Sequence, residues 1–184
     1  MREIADHILD IAENSLRAGA NDIVITVEEE TNTNKLRITI VDNGMGMDEE
    51  QLKKIFDPFY TTKSERKRKF GLGLPLLMQM AQESGGGVQV NSQKGKGTTV
   101  IAEFGLRHID RQPLGDIAGT FVTLLLTSPL TSLTYIHRCG KKAFEISTSE
   151  IKKQIDEALM TDVAVLAAVR EIIVGGIKDL ASQA

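Results

Sequence analysis

The stretch DIAENSLRAGA, residues 10–20, sets Asp10, Glu13, Asn14 and Arg17 at helical spacing among small and apolar residues. Asp10 and Asn14 are four apart, so on a helix they project from one face about one turn from each other. Ile4, Ile8, Ile11 and Ser15 fall on one side of the same pattern, with Ala5, Leu9, Ala12 and Leu16 beside them. That stripe predicts an amphipathic helix, which Gly19 ends. Periodicity alone leaves two readings of the polar residues open: the wet face of a helix, or a face that handles a ligand.

Working outward, DIVITVEEE (22–30) and KLRITIV (35–41) each alternate, with Ile23, Ile25 and Val27 in the first and Leu36, Ile38 and Ile40 in the second. Joined by the polar TNTN, they predict a hairpin. DNGMGM breaks the alternation, and DEEQLKKIF resumes a helical pattern, with Asp48 as cap, Gln51 three residues later, and Leu52, Ile55 and Phe56 expected to face inward. Pro58 closes it. FYTTKSERKRKF (59–70) is polar and basic without a usable period, as expected of a surface loop. GLGLPLLMQMAQESGGG then predicts a helix with Pro75 in its first turn and a glycine stop at 85–87. VQVNSQKGKGTTVIAEF is a second hairpin turning on KGKG.

After residue 107 the character changes. HIDRQP is a polar link, LGDIAGTFVTLLLTS an apolar helix candidate, and LTYIHRCGKKAFEI a hairpin turning at Gly140. STSEIKKQIDEAL opens with the Ser147 to Glu150 capping spacing. The final helical pattern, DVAVLAAVREIIVGGIKDL, carries Gly175 and Gly176, which are expected to fray it. The organisation expected is two units: residues 1–107, and a small α+β unit over 108–184 whose role no motif identifies.

Composition limits what these units do. The 184 residues are 41% hydrophobic and 26% charged, ordinary for a folded protein. A net charge of -3, from 22 basic and 25 acidic residues, gives no global attraction to nucleic acid or to an anionic membrane. Cys139 is the lone cysteine and has no partner for an internal disulfide. The N-terminal MREIADHILDIAEN lacks the basic start and apolar run of a signal peptide, and no apolar stretch approaches the ~20 residues that span a bilayer. A cytoplasmic location is the expectation.

Three segments carry chemistry. VDNGMGM places the carboxylate of Asp42 at a strand end beside glycines that let backbone approach a flat ligand, although taken alone the segment reads more simply as a turn made from Asn43 and Gly44. GLGL opens a helix, where free N–H groups and the helix dipole favour an anion such as phosphate. Singly each is weak. Helix carboxylate and amide, strand-end aspartate, basic loop, glycine-opened helix and a closing GTT nevertheless occur in one order within about a hundred residues.

That order resembles the ATP-binding domain shared by DNA gyrase, the large heat-shock chaperone, sensor histidine kinases and mismatch-repair MutL proteins, the GHKL group. ENSLRAGA is similar to the MutL form of the first motif, while DPFYTTK and FGLGLPLL are similar to the lid and glycine motif of histidine kinases. The resemblance implies a two-layer α/β sandwich of the Bergerat type over residues 1–107, with ATP and Mg2+ as cofactors. Asn14 matches the magnesium ligand, and Asp42 the carboxylate that accepts from the adenine amine. Gly44 and Gly46 match glycines beneath the base, and Thr98 matches the residue that reaches adenine through water. Gly71, Leu72, Gly73 and Leu74 match the backbone donors to the phosphates, and Lys63 the lid cation. Arg66, Lys67, Arg68 and Lys69 read more simply as a solvated charge run.

One departure concerns turnover. Where ATP-hydrolysing members of the group carry a glutamate four residues before the asparagine, this chain has Asp10, which reaches one methylene less far toward a water, so slow hydrolysis is expected. Glu13 is the second choice of base, and Arg17 reads as its i,i+4 partner. His7 and His137 read as structural. HIDRQP matches a phosphoacceptor box poorly, and only nine residues precede Asp10, so the expected phosphoacceptor lies on another protein. The leading reading is a regulatory kinase or ATPase acting with a separate protein partner, with neither nucleic acid nor membrane involved. The alternatives are an ATP-gated clamp that forms a homodimer, and a nucleotide sensor without useful turnover.

Overall fold

In the computed structural model, which describes residues 3–57, 73–156, 159–180 and 184, the alternating segments become a six-stranded sheet. The chain runs α1 (Ile4–Arg17), β1 (Asp22–Glu30), β2 (Lys35–Asp42), α2 (Glu49–Lys54), α3 (Gly73–Glu83), β3 (Gly87–Gln93) and β4 (Gly97–Gly105). It continues with α4 (Ile117–Thr127), β5 (Ser132–Cys139), β6 (Lys142–Ser147), α5 (Thr148–Lys152) and α6 (Val163–Asp179). Strands lie in the order β3-β4-β2-β1-β5-β6. Every neighbouring pair is antiparallel except β1 with β5.

Period-two alternation sends one set of side chains to one face. Ile23, Ile25 and Val27 of β1, Leu36, Ile38 and Ile40 of β2, Val100, Ala102 and Phe104 of β4, and Leu133 and Tyr135 of β5 are all buried. They share one core with Ile4, Ile8 and Ile11 of α1, Leu77 of α3, Phe121 of α4, and Val169 and Ile173 of α6. Helices therefore cover one side of a mixed sheet, the two-layer arrangement expected. The sheet continues past residue 107 without a break, because β5 pairs with β1 from Asp22↔Ser132 to Glu29↔Cys139.

The start of α1 is tied to the same later segment. Its first N–H donors have no partner inside the helix, and those of Ile4 and Ala5 donate to the carbonyls of Pro113 (3.0 Å) and Leu114 (2.8 Å). The Glu3 carboxylate accepts from the Asp116 amide at 3.2 Å.

Two expectations are revised. In α2 the capping box of Asp48 and Gln51 forms, but Leu52, Ile55 and Phe56 are only half-buried, because six residues make too short an amphipathic face to seat three side chains in a core. Gly175 and Gly176 do not fray α6, which runs on to Asp179. A Cβ at Gly176 would overlap the Phe144 ring, so the glycine serves close helix–strand approach. Among the described residues, no helix is long and apolar enough to cross a membrane.

Candidate functional site

The C-terminal half of α1 and the end of β2 meet through a buried carboxylate. Asp42 closes β2, directly opposite Thr98 of β4, on the face that carries Leu36, Ile38 and Ile40, and it is 8% exposed. Burial of a carboxylate requires partners, and it has three. Its Oδ1 accepts from the backbone N–H of Gly44 at 2.9 Å and of Thr98 at 3.2 Å. Its Oδ2 accepts from the Ser15 hydroxyl at 2.6 Å. The strand-end aspartate is thus fixed from α1, from the following loop and from β4.

The loop after Asp42 is fastened as firmly. Asn43 Oδ1 accepts from the amides of Asn21 and Asp22, both at 3.0 Å, and the Met45 amide donates to the Ala18 carbonyl at 2.9 Å. A Cβ at Gly44 would press on Ala18 and on the Asp42 carboxylate, and one at Gly46, where φ is +62°, would overlap the Gln93 carbonyl. At both positions the chain's own backbone occupies the space a side chain would need. Gly97, with φ +93°, sits against the Asp42 backbone in the same way.

Thr98 stands at the pocket wall, its hydroxyl 2.9 Å from that of Ser92. Ser92 Oγ also accepts from the Met47 amide at 2.8 Å and donates to the Gly97 carbonyl at 3.0 Å.

On α1 the polar stripe is a hydrogen-bonded row. Asn14 Nδ2 donates to Asp10 Oδ2 at 3.3 Å, and Arg17 donates to Asn14 Oδ1 at 2.9 Å and to Glu13. Arg17 is therefore the i,i+4 partner of Glu13, as its spacing suggests. Gly73, the first residue of α3, lies so close to the row that a Cβ there would overlap the Asp10 carboxylate. Leu74, next to it, is half-buried and packs against the core. The structure thus brings Asp10, Asn14 and Gly73 together at one end of α1, and Asp42, Gly44 and Thr98 together one strand-end away, joined through Ser15. Lys63, Gly71 and Leu72, with Arg66, Lys67, Arg68 and Lys69, lie outside the described residues.

Asn14 Oδ1 and the Asp10 carboxylate are hard oxygen donors. Among the described residues no group of three or more His, Cys, Asp or Glu side chains could hold a metal ion. A pair of this kind suits Mg2+ that is shared with phosphates and waters, not one caged by protein alone.

Residues singled out elsewhere fall away from this pocket. His108 follows β4 at the end opposite Asp42; from Thr98 to Gly105, seven residues at about 3.3 Å each amount to about 23 Å. Its Nδ1 accepts from the Asp110 amide at 3.2 Å. His7 is buried, and among the described residues neither ring nitrogen meets hydrogen-bond geometry with a partner; burial holds its pKa below 6.5. His137 is fully buried between Tyr135 Oη (2.8 Å, on Nδ1) and Glu29 Oε1 (2.7 Å, on Nε2). Burial, reinforced by Glu29, holds the Tyr135 phenol far above its ordinary range, so the hydroxyl keeps its proton in its hydrogen bond with Nδ1. Burial and Glu29 also push the Cys139 thiol up, away from thiolate reactivity.

The sequence gives no sign of a site role for Ser15 or Ser92, and marks Asn43 and Gly97 only as turn and GTT residues. Ser15 falls in the apolar stripe, which its burial matches; only the fold places its hydroxyl on a carboxylate 27 residues away.

Comparison with known proteins identifies the family of the domain. Residues 2–108 match the model of the histidine kinase-, DNA gyrase B-, and HSP90-like ATPase domain. The sensor histidine kinase ZraS of Escherichia coli is 36% identical over 108 residues, covering 59% of this chain and 23% of that kinase. Sporulation kinase C of Bacillus subtilis is 33% identical over 90 residues, covering 49% of this chain and 20% of the kinase. The chain thus spans about a fifth of the length of these curated relatives. Among solved structures, the N-terminal domain of a DNA repair protein superposes with a TM-score of 0.55 at 16% identity, covering 79% of this chain and 52% of that one. That likeness is one of fold, and it extends beyond the matched domain into the strands that follow residue 107. With the family model matching residues 2–108, more than half of the chain, the chain belongs to the histidine kinase-, DNA gyrase B- and HSP90-like ATPase family.

Proposed function

We propose that this chain binds Mg·ATP between α1, the loop after β2 and the start of α3, and acts as a regulatory kinase or ATPase on a separate protein partner. The observation that carries the reading is the buried Asp42 carboxylate, held by Ser15, Gly44 and Thr98 at the end of β2 and joined through Ser15 to the helix bearing Asp10 and Asn14. A fixed carboxylate accepts from an exocyclic amine and repels a 6-oxo group, so the base is adenine. Thr98, at the wall, reaches the base through water. Asn14 would hold Mg2+ together with the phosphates and waters; the ion would neutralise charge on the transferring phosphoryl group. By the family resemblance, the motif Gly71 to Leu74 would supply backbone donors to the phosphates, and Lys63 would be the lid cation. Gly44 and Gly46 keep the loop flat beneath the base.

Asp10 would orient the attacking hydroxyl or water. Its shorter reach, and its packing against Gly73, favour slow hydrolysis. Residues 1–107 form the nucleotide-binding unit. Residues 108–184 build onto its sheet as a second, α+β unit and offer the surface for the partner. The test is incubation of the full chain with γ-labelled ATP and a candidate partner, following labelled protein, free phosphate and molecular mass. Label on the partner supports the kinase reading. Phosphate release with doubled mass supports a nucleotide-gated homodimer instead, and binding without either leaves a sensor. Absence of ATP binding by folded protein overturns all three.

A further inference from the structure

Among the described residues, the hydrogen bonds of Asp42 leave one acceptor position open, and they show which oxygen carries it. A carboxylate offers about four lone-pair positions, two on each oxygen. Oδ1 already accepts twice, from the Gly44 and Thr98 amides. Oδ2 accepts once, from Ser15. The remaining position is therefore on Oδ2, the oxygen that Ser15 also holds.

Ser15 has one proton to give. Its Oγ lies 2.6 Å from Asp42 Oδ2 and 3.3 Å from the Ile11 carbonyl, and the shorter, charge-assisted bond takes the proton. Ser15 is 4% exposed, so bulk water does not stand in for it. The two backbone donors on Oδ1 already fix rotation about the Cβ–Cγ bond; the hydroxyl fills one of the two positions on Oδ2 and leaves the other as the single open direction.

We infer that Ser15 is a positioning residue that sets base specificity: by filling one position on Asp42 Oδ2, it leaves the one open acceptor position for the exocyclic amine of a 6-aminopurine. The inference rests on the reading of Asp42 as the base-recognising carboxylate. It adds that α1 takes part in choosing the base, as well as in holding the phosphate end through Asp10 and Asn14.

A calorimetric cycle on the full chain tests this, with ATP and with purine riboside triphosphate, which carries hydrogen in place of the amine. Ser15→Ala is expected to weaken ATP about tenfold, the scale of a charge-assisted hydrogen bond made less well, and to leave the amine-free analogue within about twofold. In an Asp42→Asn background the same change should cost nothing further, since coupled residues are not additive. Ser15→Cys, a weaker donor of similar size, should fall between serine and alanine, and it carries the test if the alanine variant fails to fold. Equal loss for both nucleotides, no loss for ATP, or full additivity with Asp42→Asn overturns the inference. If wild-type protein binds the two nucleotides equally, the reading of Asp42 fails before any Ser15 variant is measured.

Discussion

Replacing Asp42 with asparagine separates recognition from folding, because the geometry allows only one orientation of the new amide. The amides of Gly44 and Thr98, at 2.9 and 3.2 Å, both donate to Oδ1, so the asparagine oxygen must take that place. Its NH2 then faces Ser15, whose hydroxyl turns to accept and sends its proton to the Ile11 carbonyl, already 3.3 Å away. Every buried polar group keeps a partner, so the cost to stability should stay within about 1 kcal/mol. The group facing the base, however, changes from acceptor to donor and meets the adenine amine donor to donor. Loss of a charge-assisted hydrogen bond, about 1.5–3 kcal/mol, corresponds to a ten- to hundredfold weaker affinity at about 1.4 kcal/mol per tenfold. The same NH2 can donate to a 6-oxo group, so the preference for ATP over GTP should shrink or reverse. Competition of GTP against labelled ATP, on variant and wild type, measures both effects. A folded Asp42→Asn protein that binds ATP within twofold of wild type would refute the reasoning.

Three further outcomes follow from particular contacts. Gly73→Ala puts a methyl group into the Asp10 carboxylate, and overpacking of about 1–3 kcal/mol should lower the urea midpoint and weaken ATP while leaving adenosine unaffected; equal loss for the two ligands would contradict the placement of Gly73 at the phosphate end. Tyr135→Phe removes the hydrogen-bond partner of the buried His137 Nδ1, at a cost of about 1–3 kcal/mol in urea unfolding with ATP affinity unchanged, and an unmoved midpoint would contradict a stabilising role for that bond. His7 has its pKa held below 6.5 in the fold, so as pH drops past 6.5 the unfolded chain takes up the proton first. Stability should then decline until the folded-state pKa is passed; His7→Phe should flatten that part of the pH–stability profile, and an identical slope in the variant would sink the argument.

The sequence revealed what depends on local period and spacing. The stripe of α1, the alternation of β1 and β2 and the glycine turns at 95, 97 and 140 all answer to rules that act over a few residues. What stayed hidden depends on distant partners. Glu29 sits in a run of three glutamates that reads as solvated, yet it is 2% exposed because His137, 108 residues later, accepts its company. Nothing in LTYIHRC announces that β5 will lie parallel to β1, since such a pairing is made by the fold and not by a turn. Gly176 reads as a helix breaker because its reason, the Phe144 ring, lies on another element. In the site, Asp42 and Asn14 were legible as a constellation. Ser15, which joins them, was concealed by doing two things at once, filling a buried position in the stripe and donating to a carboxylate.

The most direct test of the pocket is a calorimetric titration of the full, folded chain with ATP in the presence of Mg2+, set beside GTP under the same conditions. A saturable heat corresponding to one nucleotide per chain, with ATP bound more tightly than GTP, is the outcome expected from a carboxylate fixed at the end of β2. No saturable heat with ATP, or equal affinity for both nucleotides, would contradict it.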